Sequence, residues 1–381
     1  MVETLTNARI VMCDAVISGT VVFERGAIRA VDADASRSRS AVDCEGDYLL
    51  PGLIDIHTDN IEKHIFPRPG VRWPSAFGAV VAHDRELVGA GMTTIFDSLS
   101  LGDYESAGAR REALPDVIDA VAKARNAGAL RADHFLHFRC EVSDPAVLDL
   151  FEPRADHPLL RLVSLMDHTP GDRQFRDPFR FRRHREKTNG RRWSDEEFAA
   201  YVTERRAFQA AHAGRLRRAI REIATGRSLR LATHDDTTAV HVEEGHGEGA
   251  TISEFPTTIE AARRARELGL KTVMGAPNVV LGQSHSGNVS ARELATHGLL
   301  DALTSDYIPS SLLEATFALS RELGIELPAT VAMASAAVAD MVGLTDRGSI
   351  AAELRADLIR VRLISGHPVV QCAWRGGERV V

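Results

Sequence analysis

LLPGLIDIHTDNIEKH, residues 49–64, joins a short apolar run to a cluster of groups able to hold metal ions. Pro51 and Gly52 supply a turn, and Leu53, Ile54 and Ile56 have the apolar character of a buried parallel strand. His57 and Asp59 follow at its carboxyl end, two residues apart. On a strand that spacing puts both side chains on one face, which in a barrel is the interior.

Outward from this stretch, apolar runs alternate with longer amphipathic segments. The runs are GLIDIH, TTIFDS, HFLHFRCEV (134–142), LRLVSLMDH (160–168), SLRLATHDD (228–236), ATISEF (250–255), KTVMGAP (271–277) and DALTSDY (301–307). Eight strands interleaved with helices predict an α/β fold, a (β/α)8 TIM barrel. The clearer helices are 115–127, 194–225, 257–268 and 291–297, with a Ser194/Glu197 capping box and Gly226 closing the second. Residues 5–50 read instead as short strands with turns, and the tail returns to that texture. The two ends are expected to pair as a small discontinuous β-sandwich domain, 1–50 with 346–381, around a barrel at 51–345.

With 381 residues and a formal net charge of -7, the chain is long enough for such a barrel and has no overall attraction to nucleic acid. Cys13, Cys44, Cys140 and Cys372 are scattered without a CxxC pair, which argues against zinc-ribbon and thioredoxin folds and fits a reducing compartment. No basic leader and no apolar run of roughly 18 residues is evident. A soluble cytoplasmic protein, engaging neither membrane nor nucleic acid, is expected.

Barrel active sites form where strands end, so the residues closing each run matter most. They are His57 and Asp59, Asp97, Glu141, Asp167 and His168, His234 to Asp236, and Asp306. Any single one of the 15 histidines is ordinarily a hydrogen-bonded structural residue. The joint pattern of His57, Asp59, Glu141, His168, His234 and Asp306 is what points to metal, because imidazole and carboxylate suit paired zinc, manganese or iron ions in hydrolytic sites. Two divalent ions are expected, zinc foremost. Glu141 is the candidate bridge, since none of the lysines, at 63, 123, 187 and 271, follows a strand where a carbamylated lysine would serve. Asp306 is the candidate base that orients a water and takes its proton. Asp97, Asp167 and Asp235 read as supporting groups. HVEEGH at 241–246 has its histidines five apart rather than the zincin four and reads as loop.

Three segments could hold an anion. PGDRQFRDPFRFRRHREKTNGRRW (170–193) is rich in arginine, whose fork matches phosphate oxygens; Arg173 lies nearest His168, and the others read as a solvated loop or lid. MGAPNVVLGQSHSGN (274–288) follows the seventh strand and offers Asn278, Ser284, His285, Ser286 and Asn288. Lys63, His64 and Arg68 follow the opening stretch.

LLPGLIDIHTD with the ADLIRV tail resembles the amidohydrolase superfamily, metal-dependent hydrolases with a barrel and a split β domain. HTDNIEKH, FRCE, LVSLMDHTPGDRQF, THDD, EFPTT, MGAPN, SHSGN and TSDYIPSSLL, running in order to about residue 314, are similar to a narrower family, the diphosphatases of phosphonate metabolism in the carbon–phosphorus lyase pathway. That family, like this chain, has aspartate where many superfamily members carry the second histidine of an HxH pair. The resemblance implies hydrolysis of alpha-D-ribose 1-methylphosphonate 5-triphosphate to the 5-phosphate and pyrophosphate. A small phosphorylated sugar is then the partner, and a homo-oligomer and a functional link to other phosphonate-degrading enzymes fit the same reading. The residues alone stop at a metal-dependent hydrolase. The alternative is an amidohydrolase or deaminase acting on a cyclic C–N bond, and a barrel retained only as a scaffold is a third reading.

Overall fold

The computed structural model describes residues 2–102, 108–189, 192–283 and 287–381. The chain opens with β1 (Val2–Val11), β2 (Val16–Glu24), β3 (Ala27–Asp32), β4 (Val42–Asp43) and β5 (Tyr48–Pro51). Eight strands then follow: β6 (Leu53–Thr58), β7 (Met92–Leu101), β8 (Asp133–Glu141), β9 (Leu160–Met166), β10 (Arg230–His234), β11 (Ile252–Glu254), β12 (Lys271–Gly275) and β13 (Ala302–Thr304). The chain closes with β14 (Leu358–Ile364), β15 (His367–Arg375) and β16 (Glu378–Arg379).

Strands β6 to β13 pair in parallel and in sequence order, and a parallel bridge between Thr58 and Asp306 closes the ring. Each run expected as a barrel strand contributes one. Ile54, Phe96, Phe135, Leu162, Ala232, Ile252, Val273 and Ala302, one from each strand, form a buried layer across the barrel. Val338, Ala339 and Met341 of the helix Ala336–Val342 pack against that layer. Burying a side chain of the larger kinds contributes roughly 1.5–3 kcal/mol, so this layer is a solid floor. Above it the lining turns polar. In β6 the register shifts between Asp55 and Thr58, which resets the alternation so that His57 points inward above Ile54.

Several local expectations change. The 170–193 segment, expected as a solvated loop or lid, contains the helix Pro178–Asn189. The helix expected from residue 115 begins six residues earlier, as Ala109–Asn126, and carries Pro115 inside it. HVEEGH lies within the helix Ala239–Gly247, not in a loop. The Thr238 hydroxyl caps its start, and Gly245 is required because a Cβ there would come within 2.0 Å of Thr233 Cγ2. The capping box of Ser194 and Glu197 is present, although a π-helical turn, Gln209–Ala213, interrupts the segment beyond it.

The terminal strands form one mixed sheet in the order β16-β15-β14-β5-β1-β2-β3, with β4 beside β1. Between β15 and β2 lie three strands, about 19 Å across a flat sheet at the usual spacing. The Phe23 and Trp374 rings are nevertheless 6.3 Å apart. The sheet therefore folds over itself and encloses a core of Leu5, Ile10, Val21, Ile28, Leu49 and Leu358.

Candidate metal centre

The carboxyl ends of the barrel strands surround a cavity of about 220 Å³. Among its lining residues are His57, Asp59, Arg139, His168, His234, Asp235, Phe255, Asp306 and Tyr307, with Gln174, Asn278, Gln283 and Asn288 nearer the 274–288 and 170–193 segments. His57 and Asp59 extend from β6, and backbone bonds between Asp306 and both residues fix the two strand ends together. Gly275 leaves room for the base candidate: a Cβ at that position would lie 3.2 Å from Asp306 Oδ2.

The imidazoles are held from behind. Glu254, fully buried, is 3.1 Å from His57 Nδ1 through one oxygen and 3.3 Å from His234 Nδ1 through the other. Glu141 accepts from His168 Nδ1 at 2.6 Å, from the His168 amide at 3.1 Å and from the Ser143 hydroxyl. A carboxylate accepting Nδ1–H fixes the tautomer and leaves Nε2 free for an ion. Glu141, expected to bridge two ions, is thus placed behind His168 and outside the cavity lining, both of its oxygens occupied.

Asp235, unlike Glu141, lines the cavity. Its φ of 57° is in the left-handed region, which a non-glycine residue adopts at a cost of order 1–3 kcal/mol. That twist brings Oδ2 to 3.5 Å from His168 Nε2 and 3.4 Å from His234 Nε2, where it is buried without a hydrogen bond among the described residues. Phe255 and Asp306, which also follow strands, share the left-handed conformation. His57, His234 and Glu254 form one group with ligand spacing, and His168, His234 and Asp235 form a second.

The charges explain why cations belong here. Burial, followed by the nearby Asp59, raises the Asp306 carboxyl well above its ordinary value. Burial and the Arg139 guanidinium lower His57 well below its own. Burial favours neutral His234 as well, pushing it down to about 3. His168 moves the other way: against the effect of burial, the Glu141 carboxylate and Asp235 push it up to about 10. A buried carboxylate oxygen with no hydrogen bond among the described residues, converging imidazoles and mutually repelling carboxylates fit a divalent cation.

The expected anion groups divide differently. Asn278 and Asn288 line the cavity. Arg173 does not reach it, because its buried guanidinium pairs with Asp236 at 2.6 Å and Glu244 at 3.1 Å. None of the other described basic residues of 170–193 lines it either. Lys63 donates to the backbone carbonyl of Tyr307 at the rim, while Arg68 is exposed and outside the lining. His285, with Ser284, Ser286 and Arg191, lies outside the described residues. Asp167 accepts from Gln209, in keeping with a supporting role, and Asp97 points through the barrel wall away from the cavity. There Asp97 bonds His83 at 2.9 Å and His134 at 2.8 Å, and His134 also reaches Asp84 at 3.2 Å.

No family model matches the chain. It is, however, 41% identical over 378 residues to the alpha-D-ribose 1-methylphosphonate 5-triphosphate diphosphatase of Escherichia coli (strain K12), covering 99% of each chain. The chain belongs to this diphosphatase family. Among solved structures, the diphosphatase family member is similar to N-acetylglucosamine-6-phosphate deacetylase from Pasteurella multocida (12% identity, TM-score 0.61, 100% of this chain and 99% of that one). It is also similar to 5-methylcytosine deaminase from Klebsiella pneumoniae (13% identity, TM-score 0.64, 100% and 98%). At such identities the likeness shows a shared fold and no more.

Proposed function

We propose that the protein hydrolyses alpha-D-ribose 1-methylphosphonate 5-triphosphate to the 5-phosphate and pyrophosphate, with two divalent ions, zinc foremost, in the cavity. The observation that carries this reading is the 41% identity over 99% of the chain to a diphosphatase of that substrate. His57, Asp59, His168, His234 and Asp235 are the side chains that would hold the ions. Bound there, divalent ions supply Lewis acidity and bring the pKa of a water from 15.7 towards about 7.

The chain's own groups do the rest. Glu254 and Glu141 keep the imidazoles oriented through Nδ1. Asp306 stands at the end of β13 between Asp59 and Gly275 and takes the proton of the attacking water at its carboxylate. Asn278 and Asn288 offer amide donors to the sugar or its phosphates at the mouth. The reaction belongs, on this reading, to the cytoplasm and to a series of phosphonate-degrading steps.

The test is to measure bound metal and then compare pyrophosphate release from the ribose 5-triphosphate with hydrolysis of cyclic amides. Release of pyrophosphate is expected, and turnover of the amides alone would sink the reading. Asp306→Asn should retain metal and lower kcat by about 10²-fold or more, the usual contribution of a general base.

A further inference from the structure

The FRCE segment of β8 places Arg139 two residues before Glu141 and on the same inward face. Its guanidinium lines the cavity beside His57, Asp59, His168 and His234. Among the described lining residues it is the only arginine or lysine. Its side chain is 15% exposed, and its nearest charged partner, Asp59 Oδ2, stands 3.6 Å from Nη1, beyond hydrogen-bond distance. Nε is buried with no hydrogen-bond partner among the described residues.

This contrasts with the two nearest candidate cations. Arg173 is held by Asp236 and Glu244, and Lys63 by a carbonyl. A guanidinium has five N–H donors in a rigid fork, and leaving them unpaired out of water is costly. Here Nε is buried without an acceptor among the described residues and Nη1 has only Asp59 at 3.6 Å, so a ligand that supplies acceptors in the cavity completes the fork. The acceptors that match its fork are paired oxygens of a phosphate or carboxylate. Phosphoryl transfer in turn depends on charge placed at the nonbridging oxygens, whereas a neutral cyclic amide offers the fork nothing comparable.

We propose that Arg139 grips nonbridging oxygens of the substrate's triphosphate and sets the preference of this cavity for phosphoric anhydrides over C–N bonds. The proposal rests on the diphosphatase reading and deepens it. Asp59, 3.6 Å away, keeps the guanidinium turned into the cavity until the phosphates arrive.

The experiment uses the full-length, metal-loaded protein and its Arg139→Met and Arg139→Lys variants. Metal content is measured first, then binding of inorganic pyrophosphate by calorimetry, then steady-state release of pyrophosphate from the triphosphate. Arg139→Met is expected to keep its metal, to bind pyrophosphate at least about tenfold more weakly, and to lose about 10²-fold or more in kcat/KM, as when a donor to a developing oxyanion is removed. Arg139→Lys, which keeps the charge but not the fork, should recover only part of both losses, and it carries the test if the methionine variant does not fold. Unchanged pyrophosphate affinity in the variants overturns the proposal, and so does loss of metal in place of affinity, which would make Arg139 a support for Asp59. If the parent protein binds pyrophosphate but does not cleave the triphosphate, the functional reading fails, while the affinity comparison still decides the role of Arg139.

Discussion

The buried chain of Asp84, His134, Asp97 and His83 outside the barrel wall shows what a single titrating residue contributes. Burial opposes a charged His134, yet the carboxylates of Asp97 and Asp84 hold it between them and push its pKa up to about 9. Asp97 is held well below the usual carboxylate range, the flanking histidines overcoming its burial. A group whose pKa is raised on folding stabilises the fold fully below its unfolded value, near 6.5, and loses that contribution as pH rises through the folded one. The stability gap between the parent and His134→Gln should therefore be constant below about pH 6.5 and close by about pH 9, as read by urea unfolding at several pH values. At neutral pH, His134→Ala should cost about 3 kcal/mol or more, because it strands two buried carboxylates. At this scale the sequence was legible in part. His57, Asp59, His168, His234 and Asp306 come together at one cavity as their positions after apolar runs suggested. Arg139 was missed because it sits within β8, where only the inward alternation marks it, whereas Glu254 closes β11 and carries the same strand-end signal as Glu141. Arg173 looked available because nothing local announces that Asp236 and Glu244, some sixty to seventy residues on, occupy it.

Strands fared better than helices, for a physical reason. A strand buried on both faces must be apolar along its length, so eight such runs stand out from their surroundings. Helix starts depend on single caps: Ser194 announced one correctly, whereas Pro115 suggested a start that the helix in fact precedes. The Ala239–Gly247 helix went unread because the five-residue spacing of its histidines dismissed the zincin helix and the segment with it, although Gly245 is there to admit Thr233. Gly52, which joins β5 to β6, is constrained in the same way. A Cβ there would meet Thr93 Oγ1 at 2.3 Å and Cγ2 at 2.6 Å. Gly52→Ala should cost about 1–3 kcal/mol through overpacking. Because β6 carries His57 and Asp59, the substitution should also reduce bound metal. A lowered Tm with undiminished metal would show that the strand end is positioned independently of its beginning.

Across the whole molecule, the tail is clamped to the barrel. Arg347 and Arg355 both donate to Asp133, the first residue of β8, and β14 pairs with β5 along Leu358 to Val361. Ile359, Val361 and Ala373 share a hydrophobic cluster with Leu53, Leu87 and Met92. We propose that residues 1–50 and 346–381 form one unit that folds together with the barrel of 51–345. A chain ending at Asp357 should then be insoluble or unfolded by circular dichroism, since it uncovers the β5 edge together with these apolar groups. The pairing of the two ends was legible because both share the texture of short strands and turns. The expected sandwich takes the form of one mixed sheet folded over itself, a connectivity that texture alone does not specify.

The apolar floor of the barrel has a kinetic counterpart. With eight strands and the helix Ala336–Val342 sealing one end, the reaction chamber is closed at its floor. A cleavage that makes two products from one molecule must then empty through the aperture by which the molecule came in, so departure is sequential. Whichever product sits deeper leaves last and occupies the place of incoming substrate. Initial-rate measurements with each product added should show the last to leave acting as a competitive inhibitor and the first as a noncompetitive one, and equal competition by both would mean that they depart in no fixed order.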